Sequence, residues 1–76
     1  MKKDDTVTTE FAYRLHIAMM ARNMKQKDIV EKTGITAATL SSYSQGHRQP
    51  TLVSIKLIAE ALDVSSDYLI GLEESW

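Results

Sequence analysis

The 76-residue chain contains no cysteine, so neither a disulfide framework nor a thiolate metal cluster can hold it together. Its stability must come from packing, and the absence suits a reducing cytosol. No run approaches the roughly 18 apolar residues of a membrane span, and Met1-Lys2-Lys3-Asp4-Asp5 is not followed by the apolar stretch of a signal peptide. We therefore expect a cytoplasmic protein with no membrane partner. No alternating run or hairpin turn signal occurs, which argues against a sheet. His16 and His47 lack metal-ligand spacing, so no metal is expected. No nucleophile, base and orienting acid stand together, which argues against an enzyme and against a cofactor or small-molecule ligand.

Acidic residues are missing from one long stretch. Between Lys32 and Ala59 there are none, although a quarter of the chain is charged. The net charge is −1, but its distribution is uneven. Residues 1–21 are neutral; from Arg22 to Lys56 six cations face only Asp28 and Glu31, a balance of +4; from Leu57 onward Glu60, Asp63, Asp67, Glu73 and Glu74 give −5. The middle of the chain can face an anion while the C-terminal end keeps the protein soluble.

What is present is helical periodicity with clear punctuation. Phe11, Leu15, Ala18 and Met19 recur on one face, with Thr8 or Thr9 as a cap, and predict a first helix over residues 9–23. Ile29, Val30 and Thr33 mark a second helix from Gln26, closed by Gly34. Thr36 can cap a third, carrying Leu40 and Tyr43 and ending before Gly46. After the polar connection His47-Arg48-Gln49-Pro50, Thr51 can cap a fourth with Leu52, Ile55, Leu57, Ile58, Ala61 and Leu62, expected to be the most buried. Ser65 can cap a last short turn with Tyr68, Leu69 and Ile70, closed by Gly71. The expected fold class is all-α: a compact five-helix bundle over residues 9–72, with a polar arm at 1–8 and an acidic tail at 73–76. Phe11, Leu15, Ile29, Leu40, Leu52, Ile55, Ile58 and Leu62 form the expected core, with Met19, Met20 and Met24 filling gaps. Tyr43 is expected as a core ring with its hydroxyl at the edge.

Two short helices joined through Gly34, with only Ile35 and Thr36 before the next begins, must cross steeply, which is the helix-turn-helix arrangement. In that geometry the second helix projects its start toward base edges and needs small or polar residues there. Thr36, Ala37, Ala38, Thr39, Ser41 and Ser42 supply them.

The run from Met24 through Gly34 to Leu40 resembles the phage repressor and Cro type of helix-turn-helix, the Xre family. The likeness continues through Ser42-Tyr43-Ser44-Gln45-Gly46, Pro50, Ile58-Ala59-Glu60-Ala61-Leu62 and Val64-Ser65-Ser66-Asp67-Tyr68-Leu69-Ile70. It implies a lambda-repressor-like domain that binds double-stranded operator DNA, commonly as a homodimer. Ala37, Ala38 and Ser42 then match base-reading positions, with Thr36, Thr39 and Ser41 beside them. Gln26 resembles the family glutamine that holds a phosphate, and Lys25 adds a charge there. Gln45, His47, Arg48 and Gln49 match the loop that tracks the DNA backbone. The chain departs from the family in placing Met19 and Ser44 where many members pair an arginine with a glutamate, Val30 where alanine is usual and Lys25 where a Ser or Thr cap is usual.

Ala37 and Ala38 cannot make bidentate contacts to purines, so direct readout is expected through Ser42 and Thr39, with DNA shape adding specificity. Ser66, Tyr68, Leu69 and Leu72 are expected to form a dimer contact with the start of the fourth helix; Trp76 is either a tail or part of that contact. The rival expectation is a helix-turn-helix module that mainly captures a protein partner, which the two alanines and the low net charge favour.

Overall fold

The structure, a computed structural model, describes residues 3–75, with side chains from Thr6 onward. Among the described residues it is all-helical: α1 Lys3–Ala21, α2 Gln26–Thr33, α3 Ala37–Ser44, α4 Leu52–Leu62 and α5 Ser66–Leu69. Helix α1 packs on α3 and α5, α2 on α3 and α4, and α4 on α5. The side chains of Phe11, Leu15, Ile29, Leu40, Ile58, Leu62 and Leu69 meet in the centre, fully buried. Phe11 and Tyr43 pack edge to face, ring centroids 6.2 Å apart.

Three caps fall where the side chains predict. Thr36, Thr51 and Ser65 each accept from the backbone N–H three residues on, at 3.2, 3.0 and 3.0 Å. Each hydroxyl satisfies one of the N–H groups that a helix start leaves unpaired. Helix α2 has no such side chain, because Lys25 holds that place; instead its backbone N–H donates to Asp28 Oδ2 at 2.9 Å. Gly34 ends α2 in the left-handed region, φ 79°, and sends its N–H back to the Val30 carbonyl.

The first helix differs from expectation at both ends. It continues through Thr6, Val7 and Thr8 instead of starting after a cap at Thr8 or Thr9, because Thr8 lies one turn before Phe11 and Ala12 on the same buried stripe. It stops at Ala21: Asn23 turns left-handed (φ 56°), while Asn23 N–H reaches the Met20 carbonyl and Met24 N–H the Met19 carbonyl. The same doubly bonded stop ends α4 at Asp63, φ 56°, with bonds to Glu60 and Ala59. Asn and Asp are the non-glycine residues that tolerate this conformation best.

Two core assignments need correction. Leu52 is 86% exposed, because it is the first residue of α4 and only the side of that turn bearing Ser54 is packed; Ile55, one turn later, is half-buried. Met19 is in the core and Met24 packs on it, but Met20 is 77% exposed on the outer face of α1. The expected tail is also engaged, since the Glu73 carbonyl accepts from Arg14 Nη1 at 2.7 Å and Glu74 lies 3.6 Å from the same guanidinium. Trp76 lies outside the described residues.

Candidate nucleic-acid interface

The connection Gly34-Ile35-Thr36 turns the chain sharply from α2 into α3. Leu40, Tyr43 and Ser44 anchor one side of α3 in the bundle, which leaves the opposite side outward. Thr36, Ala37 and Ala38 are exposed, and Thr39, Ser41 and Ser42 are half-buried along its edge. All six expected reading residues therefore lie on or beside one short helix. The loop residues Gln45, His47, Arg48 and Gln49 are exposed after it. Two of them turn back onto α3: Gln45 Nε2 donates to Ser41 Oγ at 3.3 Å, and Arg48 Nη1 to Thr39 Oγ1 at 3.4 Å.

Gln26 stands at the first turn of α2, half-buried, and its Nε2 donates to Ser44 Oγ at 2.9 Å. Ser44 Oγ in turn donates to the Ser41 carbonyl, and its own carbonyl lies 3.2 Å from His16 Nε2. Ser44 thus links α1, α2 and α3 at the point where the family's glutamate would stand. Buried Met19 replaces the arginine, so the charge pair gives way to an apolar side chain and a neutral hydrogen-bonded hydroxyl. This removes two charges that would have to be desolvated. Among the described residues no buried side-chain polar atom lacks a partner.

The cations of the middle segment divide into two groups. Lys25, Lys27, Lys32 and Arg48 are exposed. Arg22 does not join an anion-facing set: Nε donates to the Leu62 carbonyl at 2.8 Å and Nη2 to the Asp63 carbonyl at 2.7 Å, which closes the C-terminal end of α4. Lys56 pairs with Glu60 at 2.9 Å, one turn away on α4.

The expected dimer contact splits in the same manner. Tyr68 and Leu69 are 4% and 0% exposed, so their side chains belong to this chain's own core and are withdrawn from that contact. Ser66 and Leu72 remain outside, Leu72 at 73% exposure. Between α4 and α5 runs an open apolar groove of about 430 Å³, lined by Leu52, Ile55, Ala59 and Ile70 with Lys56, Glu60 and Ser66.

Sequence reasoning missed Arg14. Its guanidinium is almost buried, pairs with Glu10 at 3.0 Å, donates to the Tyr68 carbonyl at 3.2 Å and lies 4.7 Å above the Tyr68 ring. It joins α1 to α5 and to the segment after it. The signal was available: Arg14 falls three residues after Phe11 and four before Ala18, on the apolar stripe itself.

The helix-turn-helix family matches residues 15–69, well over half of the chain, and the chain belongs to it, in the repressor and Cro branch. Similar proteins include three from Bacillus subtilis strain 168. The HTH-type transcriptional regulator ImmR is 33% identical over 61 residues, 80% of this chain and 48% of that protein. The HTH-type regulators YqaE and YobD are 32% and 28% identical over 65 and 64 residues, 86% and 84% of this chain. The chain spans 56% and 57% of those two, about half the length of these curated relatives. Among solved structures, the restriction-modification controller protein C.AhdI from Aeromonas hydrophila superposes with a TM-score of 0.77 at 26% identity, over 82% of this chain and 94% of that one. The all-helical bundle is thus the fold of a known helix-turn-helix protein. Among the described residues no helix is long and apolar enough to cross a membrane.

Proposed function

We propose that the protein is a sequence-specific, double-stranded-DNA-binding regulator of transcription, acting as a repressor, with α3 inserted in the major groove. The observation that carries this is the outward face of α3: small and hydroxylated residues from Thr36 to Ser42, with exposed Arg48 returning to Thr39, in a segment free of acidic residues between Lys32 and Ala59. Lys25, Gln26, Gln45, His47 and Gln49 position the helix on phosphates; Ser42 and Thr39 touch bases, and Ala37 and Ala38 can meet a thymine methyl. The regulators and the controller protein among its relatives support the same reading.

The protein acts as a homodimer on a palindrome. The groove between α4 and α5, with exposed Leu52, Val53 and Leu72, supplies the apolar area a second copy would cover. Half-sites then lie about 34 Å apart, one helical turn. The test is site selection from random duplex DNA, with the winner titrated over salt and the mass of the complex measured. A palindrome bound about a thousandfold above random DNA is the expected result. Weak, unselective, salt-sensitive binding by a monomer contradicts it.

A second reading rests on one observation: exposed Ala37 and Ala38 offer no hydrogen-bonding group at the two foremost reading positions. On that reading the domain captures a protein partner, and capture that survives nuclease treatment, with no site enriched, supports it.

A further inference from the structure

We propose that Arg48 reads a base rather than a phosphate, that the base is guanine, and that Thr39 holds the guanidinium in place for it. This rests on the DNA-reading function above.

Thr36 Oγ1 accepts from the Thr39 backbone N–H at 3.2 Å and donates its hydrogen to Thr39 Oγ1 at 2.9 Å. Thr39 Oγ1 accepts a second time, from Arg48 Nη1 at 3.4 Å. A hydroxyl oxygen has two lone pairs, and both are then occupied, so Thr39 has only its own O–H to offer outward. Arg48 uses one of five N–H groups and keeps the remainder of its fork. Two residues from different parts of the chain thus present donors side by side, at the third helical position of α3.

A donor-only surface selects among bases. Guanine presents two adjacent acceptors, O6 and N7, on its major-groove edge. Adenine sets a donor beside its N7, cytosine presents a donor, and thymine presents one acceptor beside a methyl group. Guanine alone satisfies a fork. The anchoring of Arg48 to α3 also fixes where the charge lies: with the helix that enters the groove, nine residues away from its own place in sequence. Ala37 and Ala38 leave that space open, since neither side chain extends past Cβ. The discrimination those two positions lack is supplied from the loop behind them.

The experiment compares site selection and salt dependence for the wild type, Arg48→Lys, Arg48→Ala and Thr39→Val, all at exposed or edge positions. The wild type is expected to enrich guanine at one position in each half-site. Arg48→Lys keeps the charge without the fork, so its salt slope stays the same while guanine loses about tenfold or more of its advantage at that position. Thr39→Val loses part of the same preference with no change of charge. If both Arg48 variants select the wild-type site and bind it more weakly by the same factor as random DNA, Arg48 contacts a phosphate and the proposal is overturned. If the wild type enriches no site, the DNA-reading function itself fails, and the role of Arg48 with it.

Discussion

The phenol of Tyr43 donates to Ser54 Oγ at 2.9 Å, inside the bundle, and so ties α3 to the first turn of α4. Ser54 Oγ also accepts from Thr51 Oγ1 at 3.0 Å, and the Ser54 N–H donates to Thr51. One cap and one cross-helix bond therefore share a single serine. Tyr43→Phe keeps the ring on Phe11 and removes only the bond, which should cost about 1 kcal/mol. A thermal melt should show the midpoint fall by roughly 4 to 8 °C for a chain of this size. An unchanged midpoint would show that the bond holds no part of the stability.

Arg22 stands apart from the exposed cations proposed to face DNA. Arg22→Ala removes both bonds to the carbonyls that end α4 and should lower stability by about 1 to 3 kcal/mol, measured by urea unfolding. Its salt slope for DNA should match the wild type, because the side chain is directed at α4. A slope reduced by about one would place Arg22 on phosphate instead.

Lys25 offers the opposite outcome. It occupies the cap position of α2 without a side-chain bond, so Lys25→Ser should stabilise the fold by about 1 kcal/mol. The same change should weaken DNA binding evenly across sequences and reduce the salt slope by about one. Altered sequence preference at a constant slope would contradict the backbone role.

Two glycines with positive φ should respond differently to alanine. At Gly34 (φ 79°) an added Cβ meets nothing within 4 Å, so the cost is the left-handed strain, about 1 kcal/mol. At Gly71 (φ 92°) the Cβ would lie 2.8 Å from the carboxyl of Glu10, the partner of Arg14. Gly71→Ala should therefore cost more than Gly34→Ala. Combining it with Glu10→Ala should recover part of that excess; strict additivity in urea unfolding would show that no clash exists.

Most of this architecture is legible in the sequence, and the reason is local. Thr36, Thr51, Ser65 and Gly34 act within three or four residues of themselves, so their caps can be read from spacing alone. The failures occur where a distant part of the chain decides. Tyr68 and Leu69 resemble surface apolar residues near a terminus until α1 covers them, and Arg22 resembles a DNA-facing cation until the end of α4 arrives beside it. Leu52 continues an apolar stripe, yet it opens α4 and stays 86% exposed, while Ser54 two residues on is the one covered by α3. At the candidate interface the outward position of Thr36, Ala37 and Ala38 follows from the spacing of Leu40 and Tyr43. The return of Arg48 to Thr39 does not, because nine residues of helix and loop set that distance.

The division of labour along α3 has a consequence for how such a protein can diverge. Leu40, Tyr43 and Ser44 hold the helix to the bundle, whereas Ala37 and Ala38 are exposed. Exchanging either alanine for a longer side chain costs only a few tenths of a kcal/mol in helix propensity. Ala37→Gln should shift the selected site without a measurable loss of fold. If α3 enters the groove as proposed, a lineage of such chains can retarget itself through single substitutions, each passing through a stable intermediate, while the scaffold beneath goes unchanged.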